Sequence, residues 1–191
     1  MALKGPNEED RRKLHAEINQ IVNQRFILAT SAITAFAALT VWMIPKDAQA
    51  QADVGGFPFI VSTILSLLLT AIYCLSHQLK NTMRVFTQYL AETESSDWDL
   101  DWAKYREQPH SGYTRATASF FLVLNAVGFI FAFSLAYMYS VHFPCAALIF
   151  AVVVLVATEV LIYRMGYKSL FDNEGDIKKR WQELNAPPPT G

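Results

Sequence analysis

Four long apolar runs constrain this chain more than any other feature. Phe26–Ile44, Phe57–Ser76, Ala116–Tyr139 and Phe143–Tyr163 contain between them a single formally charged side chain, Glu159. About 20 helical residues cross the roughly 30 Å hydrocarbon layer of a bilayer, and each run has that length. Inside lipid every backbone N–H and C=O must be paired within the protein, which leaves helices or closed barrels. None of the runs alternates polar and apolar residues as a barrel strand does. Helices of a soluble domain would carry charged outer faces, and these do not. The expected fold is an all-α integral membrane protein, with four transmembrane helices in two hairpins and amphipathic helical extensions on the cytoplasmic side.

Cations near the span ends give the orientation. Of the sixteen Lys and Arg residues, Lys46 alone lies in the connections Pro45–Gly56 and Ser140–His142. The others precede the first run, follow the fourth, or lie between the second and third. The positive-inside rule then puts both termini and the central loop in the cytoplasm. Trp42, Tyr137 and Tyr139 fall near the outer interface, and Tyr73, Tyr113, Tyr163 and Tyr167 near the inner one, where amphipathic rings sit best. Short loops and the lack of Asn-x-Ser/Thr in the outer connections fit a bacterial inner (plasma) membrane. The sequences Ala48-Gln49-Ala50 and Ala50-Gln51-Ala52 resemble signal-peptide cleavage sites. The acidic start (Glu8, Glu9, Asp10) and the length of the first apolar run favour its retention.

The chain therefore divides into a cytoplasmic N-terminal helix (1–25), a first transmembrane hairpin (26–76) and a cytoplasmic helical segment with an acidic loop (77–115). A second hairpin (116–163) and a C-terminal helix with a Pro-rich tail (164–191) complete it. Asn7 reads as a helix cap, with Leu14, Ile18 and Ile21 or Val22 as an apolar stripe and no break before Phe26. Beyond the second span, Leu75, Leu79, Met83, Phe86 and Leu90 recur at helical spacing, with Lys80, Arg84 and Gln88 opposite. Ile177, Trp181 and Leu184 form a third, shorter stripe after the fourth span. These helices mix acids and bases on their polar faces, which favours packing among themselves and with further copies over lying on lipid. Phe57-Pro58 and Phe143-Pro144 hint at a duplicated hairpin, although apolar segments match readily by chance.

Little in the chain points to an enzyme. Intramembrane enzymes need paired acids, a nucleophile with its base or metal-ligand spacing, and no two of these groups are placed together here, so no catalytic residue, cofactor or metal is expected. Cys74 and Cys145 fall at opposite ends of their spans, too far apart for a disulfide. His15, His77, His110 and His142 are scattered. Acidic residues share the cytoplasmic side with the basic ones, so no patch for nucleic acid arises.

Two groups of residues remain as candidate sites. Within the spans, Asn125 falls near the bilayer midplane. Glu159 falls about 6 Å from the inner edge, at a similar depth to Ser119, Thr30, Ser31 and Tyr73. Gly128, Ala132 and Ala136, and on the first span Thr30, Thr34 and Ala38, form small-residue ridges suited to close helix packing. Between the spans, Asp97, Asp99 and Asp101 flank Trp98 and Trp102, a pattern suited to docking a protein partner. The expected function is a non-enzymatic structural or regulatory component, homo-oligomeric and able to engage a cytoplasmic protein. The alternative is an oligomeric pore or small-ion or solute transporter using Glu159 and Asn125.

Overall fold

The computed structural model describes residues 7–46, 54–92 and 112–167. They form four α-helices: α1 (Glu8–Met43), α2 (Phe57–Glu92), α3 (Gly112–Tyr139) and α4 (Cys145–Tyr167), with no strand among the described residues. Each contains a stretch long and apolar enough to cross a membrane. Trp98, Trp102, Asp97, Asp99 and Asp101, and the expected C-terminal helix, lie outside the described residues.

Local chemistry accounts for the ends of these helices. The Asp10 N–H donates to Asn7 Oδ1 at 2.8 Å, and the Arg11 N–H donates to the Asn7 carbonyl at 3.0 Å. Asn7 thus caps α1, and the acids of the first turn sit at the positive end of the helix dipole. Exposed pairs Arg12–Glu8 at 3.3 Å and Lys13–Glu9 at 2.9 Å follow at i,i+4 spacing. Before α2 the chain turns at Gly55, whose φ of 51° is left-handed and suits a residue without Cβ. That turn meets the far end of α3: the Val54 N–H donates to the Tyr139 carbonyl at 3.4 Å and the Ser140 hydroxyl to the Gly55 carbonyl at 3.2 Å.

The described residues group into two compact units that divide α1 after residue 26 and α2 after residue 76. In the first unit, Ile18 and Ile21 of α1 and Met83 and Leu90 of α2 form a small core, with Leu14, Leu79 and Phe86 packed against it. Two details differ from the sequence expectation. Leu75 is exposed while its neighbour Ser76 is buried, and Lys80 is buried instead of lying on a solvated face. Arg25, His77 and Lys80 are all buried in this unit, at 8%, 5% and 7% exposure. The buried stripe of α1 simply continues through Arg25, because Ile18, Ile21, Arg25, Leu28 and Ala32 follow one another at steps of three and four.

The second unit contains the apolar spans. Most of α2 is buried there, whereas α1 and α4 keep large apolar side chains such as Ile33, Val41, Ile149, Val153 and Val156 on the surface. Such a surface is a liability in water and ordinary in lipid. Its core runs through Phe59, Val61, Leu65 and Leu69 of α2, Ala118, Phe121, Ala132 and Ala136 of α3, and Ala151, Ile162 and Met165 of α4. Aromatic rings gather at both ends. Trp42 meets Phe57 edge-on at 5.3 Å, and Phe143 meets Phe133 at 5.7 Å and Phe59 at 6.1 Å. At the other end Tyr163 stacks on Tyr167 at 5.0 Å, and the Arg115 guanidinium lies 5.9 Å from the Tyr167 ring centre.

Small residues set the helix separations. A Cβ added to Gly128 would lie 2.7 Å from Leu65 Cδ2 and 3.5 Å from Phe36 Cε2, so α3 meets both α2 and α1 at that glycine. The expected ridge Gly128, Ala132 and Ala136 is therefore a packing face. Its counterpart on α1 takes no part in packing within the chain: Thr30, Thr34 and Ala38 are exposed, and α1 covers the core through Leu28, Ala32, Phe36, Leu39 and Met43. The Thr30 hydroxyl donates to the Ile27 carbonyl at 2.9 Å and the Thr34 hydroxyl to the Thr30 carbonyl at 3.0 Å, which satisfies both within their own helix.

Candidate intramembrane polar site

Within its apolar span α2 carries its polar residues on one side. Ser62, Thr63, Ser66, Thr70 and Ser76 are all buried, as is Tyr73. At 100° per residue they fall within an arc of about 140°, so a file of hydroxyls follows one face of the helix through its apolar span. The Thr63 hydroxyl donates to the Phe59 carbonyl at 2.8 Å and the Thr70 hydroxyl to the Ser66 carbonyl at 2.7 Å. These bonds use the hydroxyl protons and leave oxygen lone pairs available as acceptors.

Asn125 belongs to the buried face of α3 made by Ala118, Phe121, Gly128 and Ala132. It is 1% exposed, and neither Oδ1 nor Nδ2 has a hydrogen-bond partner. The Tyr73 and Phe121 rings lie 5.3 Å apart on one side of it, and the Leu65 and Gly128 contact lies on the other. Bracketed by those two layers in opposite chain directions, Asn125 stands level with residues 66–70 of α2.

Glu159 lies beside the buried stripe of α4 formed by Ala151, Thr158, Ile162, Met165 and Gly166. Its Oε1 is shielded from solvent and has no hydrogen-bond partner. The next residue back, Thr158, is buried and donates its hydroxyl to the Leu155 carbonyl at 2.8 Å.

Glu159 does not share a level with Ser119 and Tyr73, the residues with which counting from the span ends grouped it. Ser119 and Tyr167 share a hydroxyl–hydroxyl hydrogen bond of 2.6 Å, and Gly166 is in direct contact with Ala118. With Gly166 against Ala118 on antiparallel helices, Ser119 stands level with residue 165, six residues or about 9 Å from Glu159 along α4. Tyr73 belongs to that distant layer too, since a Cβ on Gly166 would lie 2.8 Å from its hydroxyl. Glu159 stands level with Asn125 instead, since each lies seven residues from the Gly166–Ala118 contact. Of the four residues singled out within the spans, Asn125 and Glu159 share a layer. Ser119 is engaged elsewhere, and Thr30 is on the exposed side of α1.

The hydroxyl face of α2 is the part that sequence reasoning missed. A signal was present, since Ser62, Ser66, Thr70, Tyr73 and Ser76 follow one another at steps of three or four within an apolar run. Individually each is an ordinary residue of a membrane helix, and only burial distinguishes the set.

Among the described residues no group of three or more His, Cys, Asp and Glu side chains could hold a metal ion. Cys74 and Cys145 are free thiols, the first 3.8 Å from the Met165 sulfur and the second exposed at the start of α4.

Four apolar helices of this length, with lipid-compatible surfaces and a polar interior layer, fit a multi-pass helical membrane protein. Comparison with protein-family models, with characterised proteins and with solved structures finds no match.

Proposed function

We propose that the chain is a non-enzymatic multi-pass membrane protein that works by association, with further copies of itself and with a cytoplasmic protein. One observation carries this reading. α1 and α2 are each 36 residues long, about 54 Å at the helical rise, against roughly 30 Å of hydrocarbon. Beyond the apolar runs, these helices have a compact core of their own in Ile18, Ile21, Met83 and Leu90. Crossing a bilayer requires no such surplus, whereas presenting a folded surface to a protein does. In this reading the spans form two hairpins, and cation placement puts both termini and residues 77–115 in the cytoplasm of a bacterial inner membrane. Trp98 and Trp102, with Asp97, Asp99 and Asp101, supply the anchor, because anionic lipid repels the acids and aromatic side chains dominate protein binding.

The test combines the particle mass in nanodiscs with photo-crosslinking from positions flanking the tryptophans in cells. A multimer is expected, with Trp98→Ala and Trp102→Ala lowering a discrete crosslink by about tenfold, the scale of a binding hot spot. A monomer whose double variant crosslinks like the parent overturns the reading. The second reading, a pore or small transporter, draws support from the unpartnered Asn125 and Glu159. It makes the reverse prediction, with flux abolished by Glu159→Gln and indifferent to the tryptophans.

A further inference from the structure

Gly166 and Ala118 touch, which fixes the register of α4 against α3. Seven residues make nearly two turns of helix, about 10.5 Å along the axis, and return to within about 20° of the same face. Seven residues before Gly166 stands Glu159, and seven after Ala118 stands Asn125. The Phe133–Phe143 ring contact near the connecting turn and the Ala118–Gly166 contact at the far end show that α3 and α4 run in opposite senses. Glu159 and Asn125 therefore face each other across the α3/α4 seam, with the hydroxyl face of α2 level with Asn125. They are not bonded to one another, because both amide atoms of Asn125 and Oε1 of Glu159 are without partners.

What these groups need identifies the ligand. Asn125 Nδ2–H requires an acceptor, while Asn125 Oδ1 and Glu159 Oε1 require donors. A bare metal cation would satisfy the two oxygens and repel the amide NH₂, and an apolar ligand would satisfy neither. Water donates and accepts, and buried waters typically make two to four such bonds. The available lone pairs of Thr63 and Thr70 extend the same chemistry along α2.

We propose that Asn125, Glu159 and the buried hydroxyl face of α2 form a water-holding site within the membrane, at which Glu159 exchanges a proton. In the exchange a hydronium gives its proton to a Glu159 carboxylate oxygen, leaving a neutral water and a carboxylic acid. Asn125 positions the water between the two helices. Few other groups compete for that proton. α1 has no titratable side chain between Phe26 and Met43, and α2 contributes Tyr73 and Cys74 within its apolar span. Arg115 of α3 lies over Tyr167, and Tyr163, Arg164 and Tyr167 of α4 are four to eight residues away, toward the same end as Tyr73. The site requires neither an oligomer nor a partner, so it stands apart from the association proposed above.

Infrared difference spectroscopy of the full chain in nanodiscs, recorded across pH in H₂O and D₂O, tests it. The expected result is a titrating carboxyl band that Glu159→Gln removes. Its deuterium shift should be complete at least about tenfold sooner than exchange of the span backbone amides, which report opening of the helices. Asn125→Leu is expected to displace the band and slow its exchange, and Asn125→Ala serves the same purpose if the leucine variant does not fold. A band that exchanges no faster than the amides, one unchanged in both Asn125 variants, or no Glu159-dependent band at all overturns the proposal. Stabilisation by Na⁺ or K⁺ without proton exchange would also overturn it, by marking a metal-cation site.

Discussion

At the residue scale, Asn125 and Gly166 make opposite demands on their surroundings. An interhelical hydrogen bond from a membrane-buried amide contributes about 0.6 to 2 kcal/mol, so replacing a structural Asn with Leu would forfeit that amount. Asn125 makes no such bond to the described residues. Asn125→Leu is therefore expected to leave the thermal stability in detergent within about 1 kcal/mol of the parent or to raise it, since an apolar isostere removes a buried group lacking a protein partner. A larger loss of stability would mean that the amide is helix glue after all. Gly166 behaves differently because its hydrogen atom is all that fits against Ala118. Gly166→Ala should destabilise the α3/α4 seam by about 1 to 3 kcal/mol, the usual cost of overpacking. Adding Ala118→Gly should recover most of that loss, and a double-mutant cycle of melting temperatures would show the coupling.

At the scale of elements, the ends of the helices are set by local chemistry that can be altered one residue at a time. Asn7→Ala removes the acceptor for the Asp10 N–H and should cost about 1 kcal/mol of stability in α1, visible as faster amide exchange across its first turn. Gly55→Ala forces a Cβ into a left-handed turn, at a cost of about 1 to 2 kcal/mol. The effect should appear at the turn that accepts the Ser140 hydroxyl, since nothing lies within 4 Å of the added Cβ and strain is the sole obstacle. Much of this level was legible beforehand. Asn7 followed by three acids announces a cap, and Leu14, Ile18 and Ile21 announce a buried stripe. The unbroken pattern into Phe26 matches the single helix observed. Lys80 and Leu75 show where such reading stops. Periodicity gives the angles between side chains on one helix, whereas the neighbouring helices decide which angle is covered, and here the covered arc takes in Ser76 and Lys80.

For the whole molecule, orientation is the property on which the association reading depends. The native thiols offer a direct measurement, because Cys145 is exposed at the start of α4 while Cys74 is only partly exposed beside Met165. With both termini cytoplasmic, a membrane-impermeant maleimide should label Cys145 in intact spheroplasts and spare Cys74. Cys145→Ser should abolish that labelling. Labelling of Cys145 only after permeabilisation would reverse the topology and move the surplus lengths of α1 and α2 out of the cytoplasm.

The amino-acid order by itself determined that this is a helical chain with four segments long and apolar enough to cross a membrane. That decision is local: twenty consecutive apolar residues either can or cannot satisfy their backbone in lipid, whatever else the chain does. Tertiary structure alone decided which polar groups share a layer. Depth counted from the end of an apolar run grouped Glu159 with Ser119 and Tyr73, but the Gly166–Ala118 contact sets α4 against α3 so that Glu159 stands level with Asn125. Helix register and rotation follow from close contacts between small residues far apart in sequence, and a one-dimensional count along any single helix has no access to them.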